Sequence, residues 1–122
     1  MSKILLIGAG AQGGPCASIL ARDRDVSEVV LGDINLELAN NVKEKIRSEK
    51  IRTIKLDASK IDDVVKAAKG ADAVINLTLT AFDMNIMEAA LRSGAHYIDT
   101  SFGEPDLMDI RARDNILSQI IE

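Results

Sequence analysis

The stretch that decides the fold is "ILLIGAGAQGGPCASIL", from Ile4 to Leu20. Its first residues are apolar and branched, which is typical of a short buried strand. Glycines follow at positions 8, 10, 13 and 14, and a run of mostly small residues that is typical of a helix comes after them. The order of strand, glycine-rich segment and helix predicts a tight turn at these glycines.

Short apolar runs alternate with helical patterns along the whole chain of 122 residues. The runs are typical of strands covered on both faces, and their alternation with helices predicts parallel strands joined by right-handed crossovers. We therefore predict one α/β domain over residues 1–122, a doubly wound parallel sheet in three αβα layers with strand order 3-2-1-4-5. The predicted strands are Lys3–Ile7, Glu28–Leu31, Arg52–Leu56, Ala73–Leu77 and Tyr97–Ile98.

Apolar residues at helical spacing mark the helices between these strands. One such stripe begins at Ile61 and ends at Ala68. Ser59 precedes it with Asp62 three residues later, which predicts a capping box, and Gly70 follows as a C-terminal cap. Further stripes predict helices within residues 38–46, 82–90 and 106–121.

The glycines of the opening stretch form the pattern G-x-G-x-x-G through Gly8, Gly10 and Gly13. The pattern alone is weak, but here it follows a strand, opens a helix and has Asp33 about 20 positions beyond it. Gly8 is expected to permit the tight turn, Gly10 to let a pyrophosphate approach the backbone, and Gly13 to let strand and helix pack closely. The sequence therefore predicts a Rossmann-like, dinucleotide-binding fold.

Backbone N–H groups at the start of the first helix are expected to hold the phosphates. Those near Ala11, Gln12 and Gly13 face an anion at the positive end of the helix dipole. The alternative interpretation is that the glycines serve only packing and that Asp33 caps the second helix. The match of the pattern to its context favours a phosphate site.

Asp33 also bears on which dinucleotide binds. Its carboxylate is expected to accept hydrogen bonds from the adenosine ribose. A carboxylate suits a free 2′-hydroxyl and repels a 2′-phosphate, and the next residues, Ile34 and Asn35, supply no cation. We therefore predict NAD rather than NADP as the cofactor.

Polar residues that follow strands four and five extend the predicted site. In an open parallel sheet, ligands bind beyond the carboxyl ends of the strands, near the switch in strand order. A threonine or serine hydroxyl in such a position is equally compatible with a role as a helix cap or in a turn. His96 begins strand five at the opposite edge and is not expected to be catalytic. The candidates for the nicotinamide side are Thr78, Leu79, Thr80, Thr100 and Ser101.

Composition argues against several other classes of function. The net charge of −4 gives no basic face, so no nucleic-acid partner is predicted. No apolar stretch approaches the roughly 20 residues of a membrane span, so no membrane association is predicted. Cys16 is the only cysteine, which favours a reducing cytoplasm, and no metal site is predicted.

The segment from Ile75 to Pro105 resembles the saccharopine dehydrogenase family, in which the fifth strand reads G-x-x-Y-[ILV]-D-T before an E-P pair. "KLDAS" at 55–59 is similar to the family's third strand, where an aspartate and its neighbours, here Asp57 and Ala58, lie near the adenine. The resemblance implies the N-terminal NAD(P)-binding domain of an oxidoreductase that acts on the C–N bond of an amino acid or polyamine. The matching residues of the fifth strand and the pair are Gly94, Tyr97, Ile98, Asp99, Thr100, Glu104 and Pro105.

Members of this family continue into a second domain that holds the substrate and the catalytic groups, whereas this sequence stops at Glu122. We therefore expect a fragment of a longer enzyme, with a small amino-acid or amine substrate bound through a missing domain and with unknown catalytic residues. An unpaired edge at strand five predicts a homo-oligomer, or cover by segment 106–121. Two alternatives stay open, a regulatory nucleotide-sensing module of a transport system and a methyltransferase. The segment Tyr97–Thr100 and the pair Glu104–Pro105 favour the dehydrogenase.

Overall fold

The computed structural model describes residues 1–100, which fold around a five-stranded parallel sheet. Segment 106–121 and Ser101, for which the sequence made predictions, lie outside the described residues. The strands are β1 Ser2–Ile7, β2 Val26–Asp33, β3 Ile51–Lys55, β4 Ala73–Asn76 and β5 His96–Asp99. The helices are α1 Gly13–Arg22, α2 Leu36–Ile46, α3 Ile61–Ala68 and α4 Asp83–Ser93, with a 3-10 turn at Thr80–Phe82 before α4.

The strand order is β3-β2-β1-β4-β5, which confirms the predicted doubly wound topology. Every neighbouring pair of strands is parallel. Helices α1 and α2 pack on one face of the sheet, and α3 and α4 pack on the other. The order switches direction at β1, whose neighbours are β2 and β4, so a crevice is expected beyond the carboxyl end of β1.

The central strand β1 contributes to the cores on both faces of the sheet. Leu5 and Ile7 point towards α3 and α4, while Ile4 and Leu6 point towards α1 and α2. All four side chains are buried. Burying such a side chain completely contributes about 1.5–3 kcal/mol, which explains why this strand is continuously apolar.

Local hydrogen bonds set the helix starts that flank the crevice. Asn35 precedes α2, and its side-chain oxygen accepts the N–H of the residue three positions on at 3.1 Å, so Asn35 and not Asp33 caps this helix. The capping box predicted at α3 is wrong, because Lys60 is the residue before that helix. The Ser59 hydroxyl donates instead to the Asp57 carboxylate at 2.6 Å. A charged acceptor two residues away competes successfully with the helix end.

His96 lies at the amino ends of the strands, opposite to the glycine turn at their carboxyl ends, as predicted. It begins β5 and pairs with Ala73, the first residue of β4. Among the residues that the structure describes, no helix has the length and apolar character needed to cross a membrane.

Candidate functional site

A cavity of about 360 Å³ opens at the carboxyl edge of the sheet. Its walls come from the glycine turn, from the ends of β2 and β3 and from the segment that follows β4. Its volume lies within the range of small-molecule binding sites. The predicted site residues that line it are Gly8, Gly10, Asp33, Asp57, Ala58, Thr78 and Leu79.

The glycine turn has no room for a side chain at Gly8 or at Gly13. Gly8 has a φ of +108°, and a Cβ there would lie 2.9 Å from the carbonyl oxygen of Leu77. A Cβ on Gly13 would lie 1.9 Å from the carbonyl oxygen of Gly8. The turn therefore closes tightly on itself and against the end of β4, an arrangement that requires glycine at both positions.

The backbone donors that the turn leaves available lie before Gly13. The Gly13 N–H donates to the carbonyl oxygen of Gly10 at 3.1 Å, so it is used within the turn, contrary to the prediction for this amide. Within residues 1–100, the N–H groups of Gly10, Ala11 and Gln12 donate no hydrogen bond. All three residues are exposed, and a Cβ on Gly10 would meet no heavy atom within 4 Å. These donors at the N-terminus of α1 suit the pyrophosphate of a dinucleotide.

Asp33 ends β2, and backbone groups on both sides hold its carboxylate in place. The N–H of Ala9 donates to Oδ2 at 2.8 Å, and the N–H of Asn35 donates to Oδ1 at 2.8 Å. Because an ionised carboxylate accepts about four hydrogen bonds, both oxygens can accept further donors. Asp33 therefore connects the glycine turn to the cavity and presents a negative charge there.

Asp57 follows β3 and lines the same cavity. The hydroxyl and the N–H of Ser59 both donate to its Oδ1, at 2.6 Å and 3.0 Å, and these hydrogen bonds lower the pKa of Asp57 below its usual value. The apolar side chains of Ile34, Leu38 and Phe82 also line the cavity. An apolar wall with a carboxylate acceptor suits the faces and the amino group of a nucleobase.

The polar residues predicted after β4 and β5 are placed in different ways. Thr78 and Leu79 line the cavity, whereas Thr80 begins the 3-10 turn and is not among its described lining residues. Thr100 does not line the cavity either, but its hydroxyl donates to the side-chain oxygen of Gln12 at 3.3 Å. The structure thus brings Thr78 and Leu79 to the glycine turn and joins Thr100 to that turn through Gln12.

A buried polar cluster beneath Thr78 was not predicted from the sequence. The side-chain nitrogen of Asn76 donates to Asp83 Oδ1 at 2.8 Å and to the Tyr97 hydroxyl at 3.0 Å. The Tyr97 hydroxyl in turn donates to Asp99 Oδ2 at 2.6 Å. Burial raises the pKa of Tyr97, and the Asp99 carboxylate acts in the same direction, so the hydroxyl keeps its proton. The one feature of the sequence that points to this cluster is the polar residue Asn76 at the end of the otherwise apolar strand "AVIN".

An open parallel sheet in this order, with a glycine turn after β1 and an acid at the end of β2, defines a dinucleotide-binding domain. Residues 4–119 match the model of the Saccharopine dehydrogenase NADP binding domain, and the chain belongs to this family. The resemblance drawn from the segment 75–105 is thereby confirmed. The family also establishes the cofactor class as a nicotinamide dinucleotide, while the choice of NAD over NADP stays a prediction.

Several dehydrogenases are similar to this chain. The carboxyaminopropylagmatine dehydrogenase of Synechocystis sp. is 34% identical over 107 residues, which are 86% of this chain and 27% of that protein. The saccharopine dehydrogenase (L-Glu forming) of Saccharomyces cerevisiae has a TM-score of 0.77 at 24% identity, over 90% of this chain and 24% of that one. A myo-inositol dehydrogenase from Corynebacterium glutamicum has a TM-score of 0.78 at 21% identity, over 98% of this chain and 34% of that one.

These similarities have two consequences. The two solved structures establish the fold, since their identities are 24% and 21%. The chain spans only 27% of the length of the Synechocystis protein, so the similarity concerns one part of a larger protein. None of the similarities supports the nucleotide-sensing alternative.

Proposed function

We propose that the chain is the cofactor-binding domain of an NAD-dependent dehydrogenase that acts on the C–N bond of an amino acid or polyamine. The observation that carries the proposal is the Asp33 carboxylate, which lines the cavity and is fixed by the N–H of Ala9 in the glycine turn. When bound, the nicotinamide ring supplies hydride transfer. The residues of this chain bind and orient the dinucleotide, and the substrate binds through a further domain.

The preference for NAD follows from charge. No Lys or Arg is among the described residues that line the cavity. A 2′-phosphate placed about 4 Å from the Asp33 carboxylate would be repelled by about 1 kcal/mol per charge in bulk water and by about 4 kcal/mol at a protein surface. Since about 1.4 kcal/mol is a tenfold change, NAD should bind between about 5-fold and about 1000-fold more tightly. The family description names NADP. Because of the Asp33 charge, we expect this member to differ from that description.

Titration calorimetry of the full-length protein with NAD and with NADP tests this preference. Asp33→Asn removes the charge, and the ratio of the two affinities should move towards NADP by at least about 5-fold. The ratio is the useful quantity because it does not depend on the folded fraction of the variant. Asp25→Asn is the matched control, since Asp25 is exposed in the turn before β2 at the opposite edge. Tighter binding of NADP by the wild-type protein, or a ratio that Asp33→Asn leaves unchanged, contradicts the proposal.

The substrate class rests on the named activities of the relatives, which are dehydrogenases of carboxyaminopropylagmatine and of saccharopine. Both names support a C–N bond in an amino-acid or polyamine derivative as the group that is oxidised. The test incubates the full-length protein with NAD and either compound and follows NADH absorbance. NADH formation with either compound supports the class, and its absence with both argues against it.

The assembly is a further part of the proposal. Among the described strands β5 lies at an edge of the sheet, and Ile98 within it is 55% exposed. An exposed edge strand pairs readily with another chain, which supports a homo-oligomer formed through β5. Sedimentation of the full-length protein and of Ile98→Lys tests this, because a wild-type monomer at high concentration contradicts it. A cytoplasmic location remains a prediction that rests on the single cysteine.

A further inference from the structure

The side chain of Asn76 has every hydrogen-bonding group engaged although it is completely buried. Its nitrogen donates to Asp83 and to Tyr97, at 2.8 Å and 3.0 Å. Its oxygen accepts both the N–H and the hydroxyl of Thr78, at 2.9 Å and 2.6 Å. A carboxamide offers two donors and two lone pairs, so this pattern permits one orientation only. The side chain therefore fixes the position of Thr78.

The Tyr97 hydroxyl holds Asn76 from the neighbouring strand. It accepts the Asn76 N–H and donates to Asp99, whose backbone position pairs with Asn76 across β4 and β5. The next residue, Thr100, donates to Gln12 in the glycine turn. The ends of β4 and β5 and the glycine turn are thus tied together by side chains at the edge where the cavity opens.

Strand pairing alone does not need these polar groups. β4 already pairs with β1 on one side and with β5 on the other through its backbone. A buried carboxamide with all its donors and acceptors engaged holds one arrangement, whereas an apolar residue at position 76 would allow the loop after β4 to adopt several conformations. What the network defines is the course of Leu77, Thr78 and Leu79, which line the cavity.

The strand order shows which half of the cofactor this segment faces. Asp33 and Asp57 follow β2 and β3 on one side of β1, and Thr78 follows β4 on the other side. A dinucleotide with its adenosine near Asp33 and its pyrophosphate at the glycine turn extends its nicotinamide riboside towards β4. We propose that Asn76, held by Tyr97, is a positioning residue that presents Thr78 to the nicotinamide half of the cofactor. This inference rests on the proposed function.

The test compares two ligands, NAD and ADP, which share the adenosine and the pyrophosphate. Tyr97→Phe removes the hydroxyl that holds Asn76 and keeps the ring. In the full-length protein it should weaken NAD binding by about 3- to 10-fold, the effect of one lost hydrogen bond, and change ADP binding by less than about 2-fold. Thr78→Val, which removes the hydroxyl that Asn76 accepts, should show the same separation between the two ligands.

The control is Ser93→Ala, which removes a hydroxyl that donates to a backbone oxygen at 2.7 Å near the far end of α4. It should leave the binding of both ligands unchanged. If NAD binding is unchanged in Tyr97→Phe, or falls together with ADP binding, the positioning role is wrong while the proposed function stands. If the wild-type protein binds neither NAD nor ADP, the proposed function fails and this inference fails with it.

Discussion

Substitution of Gly10 by alanine separates the role of the glycine turn in folding from its role in binding. A Cβ at Gly10 meets no heavy atom within 4 Å, and the residue lies outside the left-handed region of φ. Alanine is therefore tolerated by the free protein and restricts its unfolded chain, which should raise the free energy of unfolding by about 0.4–1 kcal/mol. We expect the same methyl group to occupy the space through which a pyrophosphate reaches the N–H groups of Ala11 and Gln12.

The expected loss of affinity follows from the hydrogen bonds at risk. Each charge-assisted hydrogen bond from a backbone N–H to a phosphate contributes about 1.5–3 kcal/mol. Loss of one such bond weakens NAD binding by at least about 10-fold. Gly10→Ala should thus be at least as stable as the wild type in urea denaturation and yet bind NAD at least about 10-fold more weakly in titration calorimetry.

Gly14→Ala is the matched control for this experiment. Gly14 lies in α1, and a Cβ there would lie 4.0 Å from the side chain of Val42 in α2, an ordinary van der Waals contact. Alanine is favoured over glycine in a helix by about 1 kcal/mol, so this variant should gain stability and keep its NAD affinity. A folded Gly10→Ala protein with unchanged NAD affinity would refute the reasoning, because it would show that no phosphate approaches Gly10.

The remaining predictions concern three other residues. Gly13→Ala should lower the free energy of unfolding by about 3 kcal/mol, because its Cβ would lie 1.9 Å from the Gly8 oxygen, and a loss below about 1 kcal/mol in urea denaturation would contradict this. Burial raises the pKa of Tyr97 in the folded state. The protonated hydroxyl therefore contributes fully to stability below about pH 10, where the unfolded tyrosine is also protonated, and this contribution is lost as the pH rises above that value. Urea denaturation on both sides of this pH should show a steeper fall for the wild type than for Tyr97→Phe, and equal slopes would count against the buried hydroxyl. His96→Gln should leave NAD affinity unchanged in titration calorimetry. A large loss of affinity would contradict the placement of His96 at the end of the sheet opposite to the cofactor.

The topology could be predicted from the sequence because it depends on patterns that are local in the chain. Alternating strands and helices leave few arrangements once crossovers are right-handed, and the predicted order agrees with the structure. The spacing from Gly8 to Asp33 likewise marks the crevice, since both lie at strand ends that the topology brings together.

Contacts between distant residues could not be predicted in the same way. The residues that accept from the Asn76 side-chain nitrogen are 7 and 21 positions away, and no pattern in one sequence states which side chains meet across neighbouring strands. Competition between nearby groups is equally hard to predict from a pattern. The pattern places Ser59 at the start of α3, but Ser59 donates to the Asp57 carboxylate because a charge-assisted hydrogen bond is the stronger one.

The hydrogen bond from Ala9 to Asp33 restricts how this domain can change its cofactor. The carboxylate proposed to select the ribose is also the acceptor that orders the backbone at the glycine turn. Any neutral replacement that admits a 2′-phosphate loses an acceptor for a backbone N–H, at about 1–3 kcal/mol of stability. A change of specificity by a single substitution therefore weakens the fold. Engineered or natural variants that accept NADP are expected to carry a second, compensating substitution in the glycine turn or at the start of α2.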